Sequence, residues 1–450
     1  MADIACIGAG YIGGPTMAVI AKMCPEHRVW VVDCDAQKIA AWNSDNLPVY
    51  EPGLQEVVAA CRGRNLFFST DIAAAIRASS LIFVGVNTPT KTFGEGAGYA
   101  SDLQFWEAAA RTIAAEANGD KIVIEKSTLP VRTADAMEAV LKTQPAHTFT
   151  VLSNPEFLAE GSAIEDLLHP DRVLIGGPET PAGREAVEAL RAIYATWVPA
   201  ERIITTNIWS SELAKLAANA MLAQRVSSIN AFSALCEASG ADIEEVAYVL
   251  GMDRRIGPHF LKAGPGFGGS CFKKDLLNLI YLCRFYGLDT CATYWAGVLA
   301  INDAQQQRII TRTVRSAFNT LSGKRIALFG FAFKAHTGDT RESPALAIAH
   351  HLIEEHANLV ITDPQALANA RKDLAAQGDR VTFQADPYAA ANDTDIILLM
   401  TEWPCYRTLD WARIYRNMRQ PALLFDTRNC LDHAALRALG FRVLAVGKPE

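Results

Sequence analysis

The stretch Ile4-Ala5-Cys6-Ile7-Gly8-Ala9-Gly10-Tyr11-Ile12-Gly13 decides the fold of the first part of the chain. Its first four residues are apolar, as in a strand buried on both faces of a parallel sheet. The G-x-G-x-x-G pattern that follows is typical of the turn between such a strand and a dinucleotide-binding helix. Gly8 permits the tight turn, Gly10 lets the backbone approach a pyrophosphate, and Gly13 lets the helix pack closely against the strand.

A carboxylate at the end of the second apolar run supports the same interpretation. Asp33 follows the run 29–32 and lies twenty residues after Gly13, where an acidic side chain accepts hydrogen bonds from an adenosine ribose. Because Asp33 would repel a 2′-phosphate, the sequence predicts NAD rather than NADP as the cofactor. Lys38 lies nearby and is interpreted as a ribose or surface contact. The alternative for Asp33 is that it merely ends a strand.

Two sets of short apolar runs, each alternating with helix-length segments, predict two parallel sheets. Between the two sets, residues 209–235 contain neither Gly nor Pro and predict one helix about 40 Å long. Shorter helical patterns follow at 243–250 and 275–281. The predicted strands are 4–7, 29–32, 81–84 and 122–124 in the first set, and 326–329, 359–361, 396–399 and 423–425 in the second.

The predicted fold class is therefore α/β, with two Rossmann-like, doubly wound domains joined by a central helical domain that contains one long helix. We place the N-terminal NAD-binding domain at residues 1–205 and the central helical, dimerisation domain at 206–320. The C-terminal Rossmann-like domain is placed at 321–450.

Composition excludes several classes of protein. A chain of 450 residues is too long for one small module. Its net charge of −7 argues against a nucleic-acid partner. No apolar run is long enough to span a membrane, and an apolar strand that starts at Ile4 leaves no room for a cleavable signal segment. The ten cysteines are scattered, with no C-x-x-C pair and no metal-ligand spacing, so we expect a reduced, cytoplasmic setting and no bound metal.

A second glycine-rich stretch, Gly264-Pro265-Gly266-Phe267-Gly268-Gly269-Ser270-Cys271-Phe272-Lys273-Lys274-Asp275, indicates covalent chemistry. The helical pattern after it starts near Cys271, and a thiol at a helix N-terminus beside two lysines is a good nucleophile. Asp275 lies four residues further on, and would share a helical face with Cys271 if the helix starts that early. The alternative is that Cys271 is a small buried apolar residue, as we expect for the other nine cysteines.

Three motifs together resemble the nucleotide-sugar 6-dehydrogenase family: 8–13, Asn154-Pro155-Glu156-Phe157-Leu158-Ala159-Glu160-Gly161, and 266–275. The segments 87–91 and 125–132 also fit, and they are closest to the animal and plant type. The resemblance extends from residue 4 to about 432. It implies that the C-terminal domain binds a UDP-sugar. It also implies that UDP-glucose is oxidised at C6 to the carboxylate by two NAD, through a cysteine thioester.

The resemblance also assigns roles to individual residues. Cys271 would be the nucleophile, while Lys215 and Asn219, one turn apart on the long helix, would stabilise the oxyanion at C6. Glu156 would activate water for thioester hydrolysis. The catalytic candidates are Cys271, Lys215, Asp275, Asn219, Glu156 and Thr128, the last of which would hold that water.

Binding residues are implied in the same way. Arg255 would reach the neighbouring subunit's site, which makes the protein at least a homodimer. Glu160 has a structural role as its alternative. The candidate cofactor-binding residues are Gly8, Gly10, Tyr11, Ile12, Gly13, Asp33, Lys38, Val86, Thr88, Pro89, Thr128, Glu160, Lys274 and Arg341. The candidate substrate-binding residues are Glu156, Phe157, Leu158, Lys215, Asn219, Arg255, Lys262, Phe267, Gly268, Phe333, Lys334 and Arg428.

Two positions depart from the family pattern, and other functions stay open. Thr427 stands where a glycine is usual, and His336, which we expect to be exposed, stands where animal members have an acid. A related enzyme for GDP-mannose or a UDP-N-acetylhexosamine would use the same chemistry. A two-electron dehydrogenase of the 6-phosphogluconate type would not need Cys271 or Glu156. A catalytically silent NAD-binding protein would not need Cys271, Lys215 or Asp275.

Overall fold

Short apolar runs form two separate sheets in the computed structural model, which describes residues 3–449. The chain divides into two units. One contains the residues up to 218 together with 277–287, and the other contains 219–276 and 288 onward. The boundaries predicted at 205 and 320 stay predictions.

The first unit is built on a sheet of eight strands in the order β3-β2-β1-β4-β5-β6-β7-β8. β1 to β6 are parallel, as predicted. β7 meets β6 antiparallel through the pair Ser153 and Gly176, and β8 runs parallel to β7, so these two strands oppose the other six. The strands are β1 (Asp3–Ile7), β2 (Arg28–Val32), β3 (Leu66–Ser69), β4 (Leu81–Val84), β5 (Lys121–Glu125), β6 (Phe149–Ser153), β7 (Val173–Gly177) and β8 (Ile203–Asn207).

Helices connect these strands and cover the sheet. Residues of β1 and β4 are almost wholly buried, which explains why their apolar runs do not alternate with polar residues. The strand order reverses between β1 and β4, where open α/β sheets bind ligands beyond the carboxyl ends of their strands. The helices are α1 (Gly13–Met23), α2 (Ala36–Trp42), α3 (Leu54–Cys61), α4 (Ile72–Ala78), α5 (Gln104–Glu116), α6 (Thr133–Leu141), α7 (Ala163–Leu168) and α8 (Pro181–Tyr194).

Four helices follow, and they confirm a helical central part. α9 (Ile208–Ser239) has 32 residues and is longer at both ends than the predicted 209–235; its length is about 48 Å. α10 (Ile243–Met252) and α11 (Phe272–Phe285) extend the two shorter predictions. α12 (Asp289–Ser316) was not predicted, although it has 28 residues.

A second, six-stranded sheet has the order β11-β10-β9-β12-β13-β14, and every pair is parallel. This arrangement confirms the second Rossmann-like domain. The strands are β9 (Arg325–Phe329), β10 (Asn358–Thr362), β11 (Val381–Phe383), β12 (Ile396–Leu399), β13 (Leu423–Asp426) and β14 (Arg442–Ala445). Its helices are α13 (Pro344–Glu354), α14 (Leu367–Asp373), α15 (Pro387–Ala391), α16 (Pro404–Arg407), α17 (Trp411–Asn417) and α18 (His433–Leu439).

Candidate active site

The carboxyl ends of five neighbouring strands bring many of the candidate residues to one edge of the first sheet. The glycine-rich turn follows β1, Asp33 follows β2, and the segment from Val86 follows β4. Thr128 lies shortly after β5, and Glu156 lies shortly after β6. Parallel strands place all of these loops at the same edge, on both sides of the point where the strand order reverses.

The glycine-rich turn has no room for larger residues at two of its three glycines. Gly8 has a φ of 110°, and a Cβ there would lie 2.5 Å from the carbonyl oxygen of Gly85. A Cβ on Gly13 would lie 2.0 Å from the carbonyl oxygen of Gly8, because α1 packs directly on the turn. A Cβ on Gly10 would meet nothing within 4 Å, so this position opens away from the protein. The turn fits a pyrophosphate that approaches at Gly10 and the start of α1.

Asp33 links the turn to the second strand. Its carboxylate accepts hydrogen bonds from the backbone N–H of Ala9 at 2.9 Å and of Asp35 at 3.0 Å. Lys38 Nζ donates to it at 2.9 Å, so Lys38 is paired with Asp33 at this edge. Burial acts to raise the pKa of Asp33, but the hydrogen bonds from Lys38 and from the two backbone amides lower it below its usual value. Asp33 therefore presents a negative charge where the ribose of a dinucleotide would lie.

This charge gives a prediction about cofactor choice. We expect turnover with NADP to be on the order of 10²-fold less efficient than with NAD, because two like charges would be brought together without water. The comparison is kcat/KM for the two cofactors. Asp33→Asn keeps the shape of the side chain and removes its charge, so it should reduce the preference for NAD over NADP. Equal efficiency of the wild-type protein with both cofactors would refute the role of Asp33.

The loops after β4 and β5 are hydrogen-bonded to each other. Ser127 Oγ donates to the carbonyl of Val86 at 2.6 Å, and Thr88 Oγ1 donates to the carbonyl of Thr128 at 3.1 Å. Thr88 and Thr128 are buried, whereas Pro89 is exposed. The structure thus brings the candidate residues for the nicotinamide side and the water-holding threonine into one pair of loops.

Tyr11 and Glu160 also come close in the fold. The N–H of Gly161, the residue after Glu160, donates to the Tyr11 hydroxyl at 3.3 Å. Ile12, Tyr11 and Glu160 are half-buried. The segment after β6 therefore approaches the glycine-rich turn.

Glu156 and Lys215 form a buried ion pair. Lys215 Nζ on α9 lies 3.3 Å from Glu156 Oε1, and both side chains are 5% exposed or less. The other oxygen, Oε2, is also buried and has no hydrogen-bond partner within the described part of the chain. Lys215 Nζ lies 5.4 Å from the ring centre of Phe157, which is half-buried like Leu158. A buried carboxylate with one uncommitted oxygen can accept a proton from water.

Three residues beside this pair were not identified from the sequence. Lys126 follows β5 and is buried, with its Nζ 3.1 Å from Asn154 Oδ1 and 3.3 Å from the hydroxyl of Tyr194. The pKa of Lys126 is lowered to about 8, mainly by burial and also by the charge of Lys215, while Glu156 acts in the opposite direction. Lysine is seldom fully buried, so its residue type did not indicate that this one lies inside. Its position directly after an apolar strand was the available signal.

In the second unit, the glycine-rich loop before Cys271 is held by side chains of two helices. Asn230 on α9 accepts from the N–H of Gly264 at 2.9 Å, and Asn302 on α12 accepts from the N–H of Phe267 at 2.8 Å. Gly266 has a φ of 118°, and a Cβ there would lie 2.6 Å from Asn302 Oδ1. These contacts fix the backbone that leads to the candidate nucleophile.

Cys271 directly precedes α11, which begins at Phe272, as expected for a helix that starts near Cys271. Its carbonyl accepts the N–H of Asp275 at 2.9 Å, so it takes the N-cap position of the helix. Its side chain is half-buried, with Sγ 3.5 Å from Ser270 Oγ. A half-buried thiol at a helix N-terminus can reach a bound carbonyl compound.

Asp275 and Asn219 form a second buried pair. Asn219 Nδ2 on α9 donates to Asp275 Oδ2 at 2.6 Å, and Lys274 Nζ lies 3.2 Å from Asp275 Oδ1. Asp275 and Asn219 are both buried. Asn219 lies one turn after Lys215 on α9, so a single turn of this helix contributes to two carboxylate pairs.

The loop between β9 and α13 packs on the glycine-rich loop that precedes Cys271. A Cβ on Gly268 would lie 3.0 Å from Phe333 Cβ, and the N–H of Gly269 donates to the carbonyl of Arg341 at 2.9 Å. Arg428 donates to the carbonyls of Met400 and Phe333, both at 2.8 Å. The structure therefore gathers Gly268, Phe333, Arg341 and Arg428.

Other candidates in this unit lie at the surface. The Arg341 side chain is exposed and forms a two-pronged pair with Asp339. Lys334 is half-buried, and His336 is exposed as predicted. Lys262 is exposed, and the Arg255 side chain is 89% exposed and pairs with nearby Asp253 at 2.6 Å. An arginine placed in this way is open to a second subunit.

A metal-binding cluster and a membrane-spanning helix are both absent from residues 3–449. No group of three histidine, cysteine or acidic side chains in that range is arranged to hold a metal ion. None of the helices there combines the length and apolar character that a membrane crossing requires.

The chain matches known proteins along most of its length. Sequence models of the UDP-glucose/GDP-mannose dehydrogenase family match its NAD binding domain to residues 2–198, its central domain to 209–304 and its UDP binding domain to 327–433. "UDP-glucose 6-dehydrogenase 5" of Oryza sativa subsp. japonica is 55% identical over an alignment of 468 residues, which covers 100% of this chain and 98% of the relative. "UDP-glucose 6-dehydrogenase 1" of Arabidopsis thaliana is 54% identical over 469 residues, with the same coverage.

Two solved structures are similar in fold to this chain over nearly its whole length. A UDP-glucose dehydrogenase from Pyrobaculum islandicum has a TM-score of 0.87 with this chain at 30% identity, and the match covers 100% of this chain and 98% of that one. A UDP-D-ManNAc dehydrogenase from Pyrococcus horikoshii has a TM-score of 0.81 at 25% identity, covering 99% of each chain.

The two sheets, the glycine-rich turn and Asp33 define an NAD-dependent dehydrogenase, and the match to the NAD binding domain confirms the predicted cofactor. The chain belongs to the UDP-glucose/GDP-mannose dehydrogenase family. The resemblance inferred from the sequence motifs is confirmed.

Proposed function

We propose that this protein oxidises UDP-glucose to UDP-glucuronate in two NAD-dependent steps, through a thioester on Cys271. The observation that carries the proposal is that one turn of α9 presents two groups, each paired with a buried carboxylate. Lys215 pairs with Glu156, and Asn219 pairs with Asp275. Relatives that are 54–55% identical over the whole chain are UDP-glucose 6-dehydrogenases, which supports the choice of sugar.

The glycine-rich turn, Asp33 and the loops after β4 and β5 would hold the cofactor. Bound NAD supplies the oxidising power, and because conversion of an alcohol to an acid removes two hydrides, two NAD molecules are used. The remaining chemistry falls to side chains of this protein.

In the first oxidation, the C6 hydroxyl loses its proton as the alcohol becomes an aldehyde. Asp275 would take up this proton through a water, while Lys215 stays charged beside Glu156. Asn219 holds Asp275 in place through its 2.6 Å hydrogen bond. The ammonium of Lys215 and the amide of Asn219 would also stabilise negative charge on the C6 oxygen.

In the second oxidation, Cys271 Sγ bonds to the aldehyde carbon, and the thiol proton passes to the oxygen to give a thiohemiacetal. Oxidation of this adduct removes its hydroxyl proton and leaves a thioester. Covalent attachment divides one difficult conversion into easier steps and keeps the aldehyde from leaving the site.

Hydrolysis then releases the acid. Glu156 would accept a proton from a water held by Thr128, the resulting hydroxide would add to the thioester, and the carbon–sulfur bond would break with return of a proton to Cys271. The buried Oε2 of Glu156, which has no partner in the described residues, supports this role.

The residues that the family resemblance implies would hold the substrate. We propose that Phe157 and Leu158 line the sugar side. Lys262, Phe267, Gly268, Phe333, Lys334 and Arg428 would hold the sugar, the two phosphates and the uridine. Lys274 and Arg341 would contact the cofactor.

The test of substrate choice is a panel of nucleotide sugars. With purified protein and NAD, kcat/KM for UDP-glucose should exceed that for GDP-mannose and for UDP-N-acetylhexosamines, and NADH should form only with a nucleotide sugar. If kcat/KM were higher for another nucleotide sugar, that sugar would be the substrate instead of UDP-glucose. NADH formation with a sugar acid phosphate alone would favour a two-electron enzyme of the 6-phosphogluconate type. No NADH with any sugar would favour a silent NAD-binding protein.

We also propose that the protein works as a homo-oligomer in which Arg255 completes the neighbouring subunit's site. Arg255→Ala should lower kcat/KM for UDP-glucose at least about tenfold, because a charged contact with the substrate is lost, while the assembly persists. Arg254→Ala, which removes the adjacent exposed arginine, is the matched control. Light scattering at low micromolar concentration should give a dimer or larger, and a fully active monomer would contradict the role.

A cytoplasmic setting is the remaining part of the proposal. All ten cysteines lie within the described residues, and none of them forms a disulfide there, which supports a reducing compartment.

A further inference from the structure

Lys126 lies at the centre of a small buried network in the first unit. Its Nζ and the hydroxyl of Tyr194 both donate to Asn154 Oδ1, at 3.1 Å and 2.7 Å. The amide of Asn154 donates in turn to the carbonyl of Leu174 at 2.8 Å. All of these side chains are buried. We call Lys126, Asn154 and Tyr194 the Lys126 network; the Oδ1 of Asn154 accepts both hydrogen bonds within it, and the amide group of Asn154 ties it to Leu174.

The network fixes the backbone that carries Glu156. Asn154 lies two residues before Glu156, and its own N–H donates to the carbonyl of Glu125 at 2.8 Å, which continues the pairing of β6 with β5. The side chain and the backbone of Asn154 are thus both anchored to the segment that bears Lys126. A shift at Lys126 would be passed to the Glu156 carboxylate through two covalently linked residues.

The network also places a second cation beside the Glu156–Lys215 pair. Four titratable groups face Lys126: Glu156 after β6, Lys215 on α9, Tyr194 on α8 and Cys6 on β1. Burial raises the pKa of Cys6 to about 12 and also raises that of Tyr194, so both stay uncharged at neutral pH. Around the single carboxylate of Glu156 there are consequently two ammonium groups.

We propose that Lys126 is a positioning residue for thioester hydrolysis, which holds in place the segment that carries Glu156 through its hydrogen bonds to Asn154 and Tyr194. The inference rests on the proposed function, since Glu156 is the base of that reaction. A charged ammonium is a stronger hydrogen-bond donor than a neutral amine, so loss of the Lys126 charge would loosen Glu156 from the position in which it accepts a proton from water. Lys126 does not itself touch the reacting atoms in this account.

The charge on Lys126 makes the proposal visible as a pH dependence. Burial lowers the Lys126 pKa to about 8, so the ammonium is lost as the pH rises through that value. The rate of acyl-enzyme hydrolysis should therefore fall on the alkaline side with an apparent pKa of about 8. Below that pH Lys126 is charged, so acyl-enzyme hydrolysis should keep its full rate.

The experiment measures hydrolysis of the acyl-enzyme by the full-length protein in single-turnover quench-flow, across pH 5.5 to about 10. Lys126→Met should slow hydrolysis at neutral pH at least about tenfold. It should also remove the alkaline limb of the pH profile, which is the fall in rate near pH 8. Lys126→Arg keeps a permanent charge and should likewise remove the alkaline limb, with a smaller loss of rate.

A conservative variant protects the test against misfolding. Tyr194→Phe removes one acceptor of the buried ammonium, so the alkaline limb should move to lower pH. Tyr406→Phe, which removes another buried tyrosine hydroxyl, bonded to the carbonyl of Thr362 in the second sheet, should leave it unmoved. If the limb near pH 8 is unchanged in Lys126→Met, Lys126→Arg and Tyr194→Phe, the role of Lys126 is wrong. If wild-type protein forms no acyl-enzyme from UDP-glucose, the proposed function itself has failed.

Discussion

Replacing Cys271 by serine is expected to abolish steady-state formation of UDP-glucuronate, by a factor on the order of 10⁴ or more, the scale seen when a covalent nucleophile is removed. The hydroxyl is a much weaker nucleophile than the thiol, and any ester it forms lacks the activation of a thioester. We therefore expect at most one burst of NADH per active site, followed by a stall. Stopped-flow absorbance of NADH, with product analysis of the quenched mixture, measures both.

The control for this variant is Cys405→Ser, which changes an exposed cysteine in the second unit and should leave turnover intact. Binding of NAD to Cys271→Ser should also be unchanged, because the glycine-rich turn and Asp33, which would hold the pyrophosphate and the ribose, follow strands of the first sheet. Full steady-state turnover by Cys271→Ser would eliminate the covalent route and favour oxidation of an aldehyde hydrate.

Replacing Lys215 by alanine is expected to slow both oxidations, by a factor on the order of 10²–10³, which is typical for the loss of one donor to a developing oxyanion. The variant also leaves the Glu156 carboxylate buried without its ion-pair partner, so the carboxylate should be less firmly positioned and hydrolysis should slow as well. Single-turnover NADH traces separate the two oxidations, and quench-flow follows hydrolysis.

Lys372→Ala, which removes an exposed lysine on α14, is the matched control and should behave as wild type. If Lys215→Ala slowed only hydrolysis and left both NADH phases at wild-type rates, then Lys215 would act solely through Glu156. That result would contradict its role at the C6 oxygen.

The sequence could predict the strands whose two faces are both buried. β4, β12 and residues 4–7 of β1 are short, uniformly apolar runs, so these strands were predicted within one residue. β7 ends in two glycines, and β8 has only two apolar residues before its threonines, so their apolar runs are shorter. Their reversed direction depends on tertiary pairing through Ser153 and Gly176, which no local pattern encodes.

Of the two long helices, α9 was predicted and α12 was not, for a similar reason. α9 is recognisable because no glycine or proline interrupts it, whereas α12 contains Gly297 and a polar run, 303–308. The helical state of α12 is supported by contacts instead. Asn302, for example, holds the loop before Cys271 by accepting the N–H of Phe267.

The candidate site could be predicted only where a motif carried it. Gly8, Gly13 and Asp33 form a local pattern with a physical meaning, and the structure shows tight packing at both glycines and a hydrogen bond from Ala9 to Asp33. The pairing of Glu156 with Lys215 joins residues far apart in the chain, so spacing could not reveal it. Lys126 was missed because its burial depends on Asn154 and Tyr194, which come from other parts of the first unit.

The most direct test of the covalent mechanism uses Glu156→Gln, in which the thioester should form normally but water is no longer activated. The protein is mixed with UDP-glucose and excess NAD, quenched in acid, and examined by intact-protein and peptide mass spectrometry. We expect close to one UDP-glucuronyl group per active site, attached to Cys271 and formed together with two NADH. The same variant with Cys271→Ala should carry none. Two NADH per sugar with no adduct at Cys271 at any time point would contradict the account.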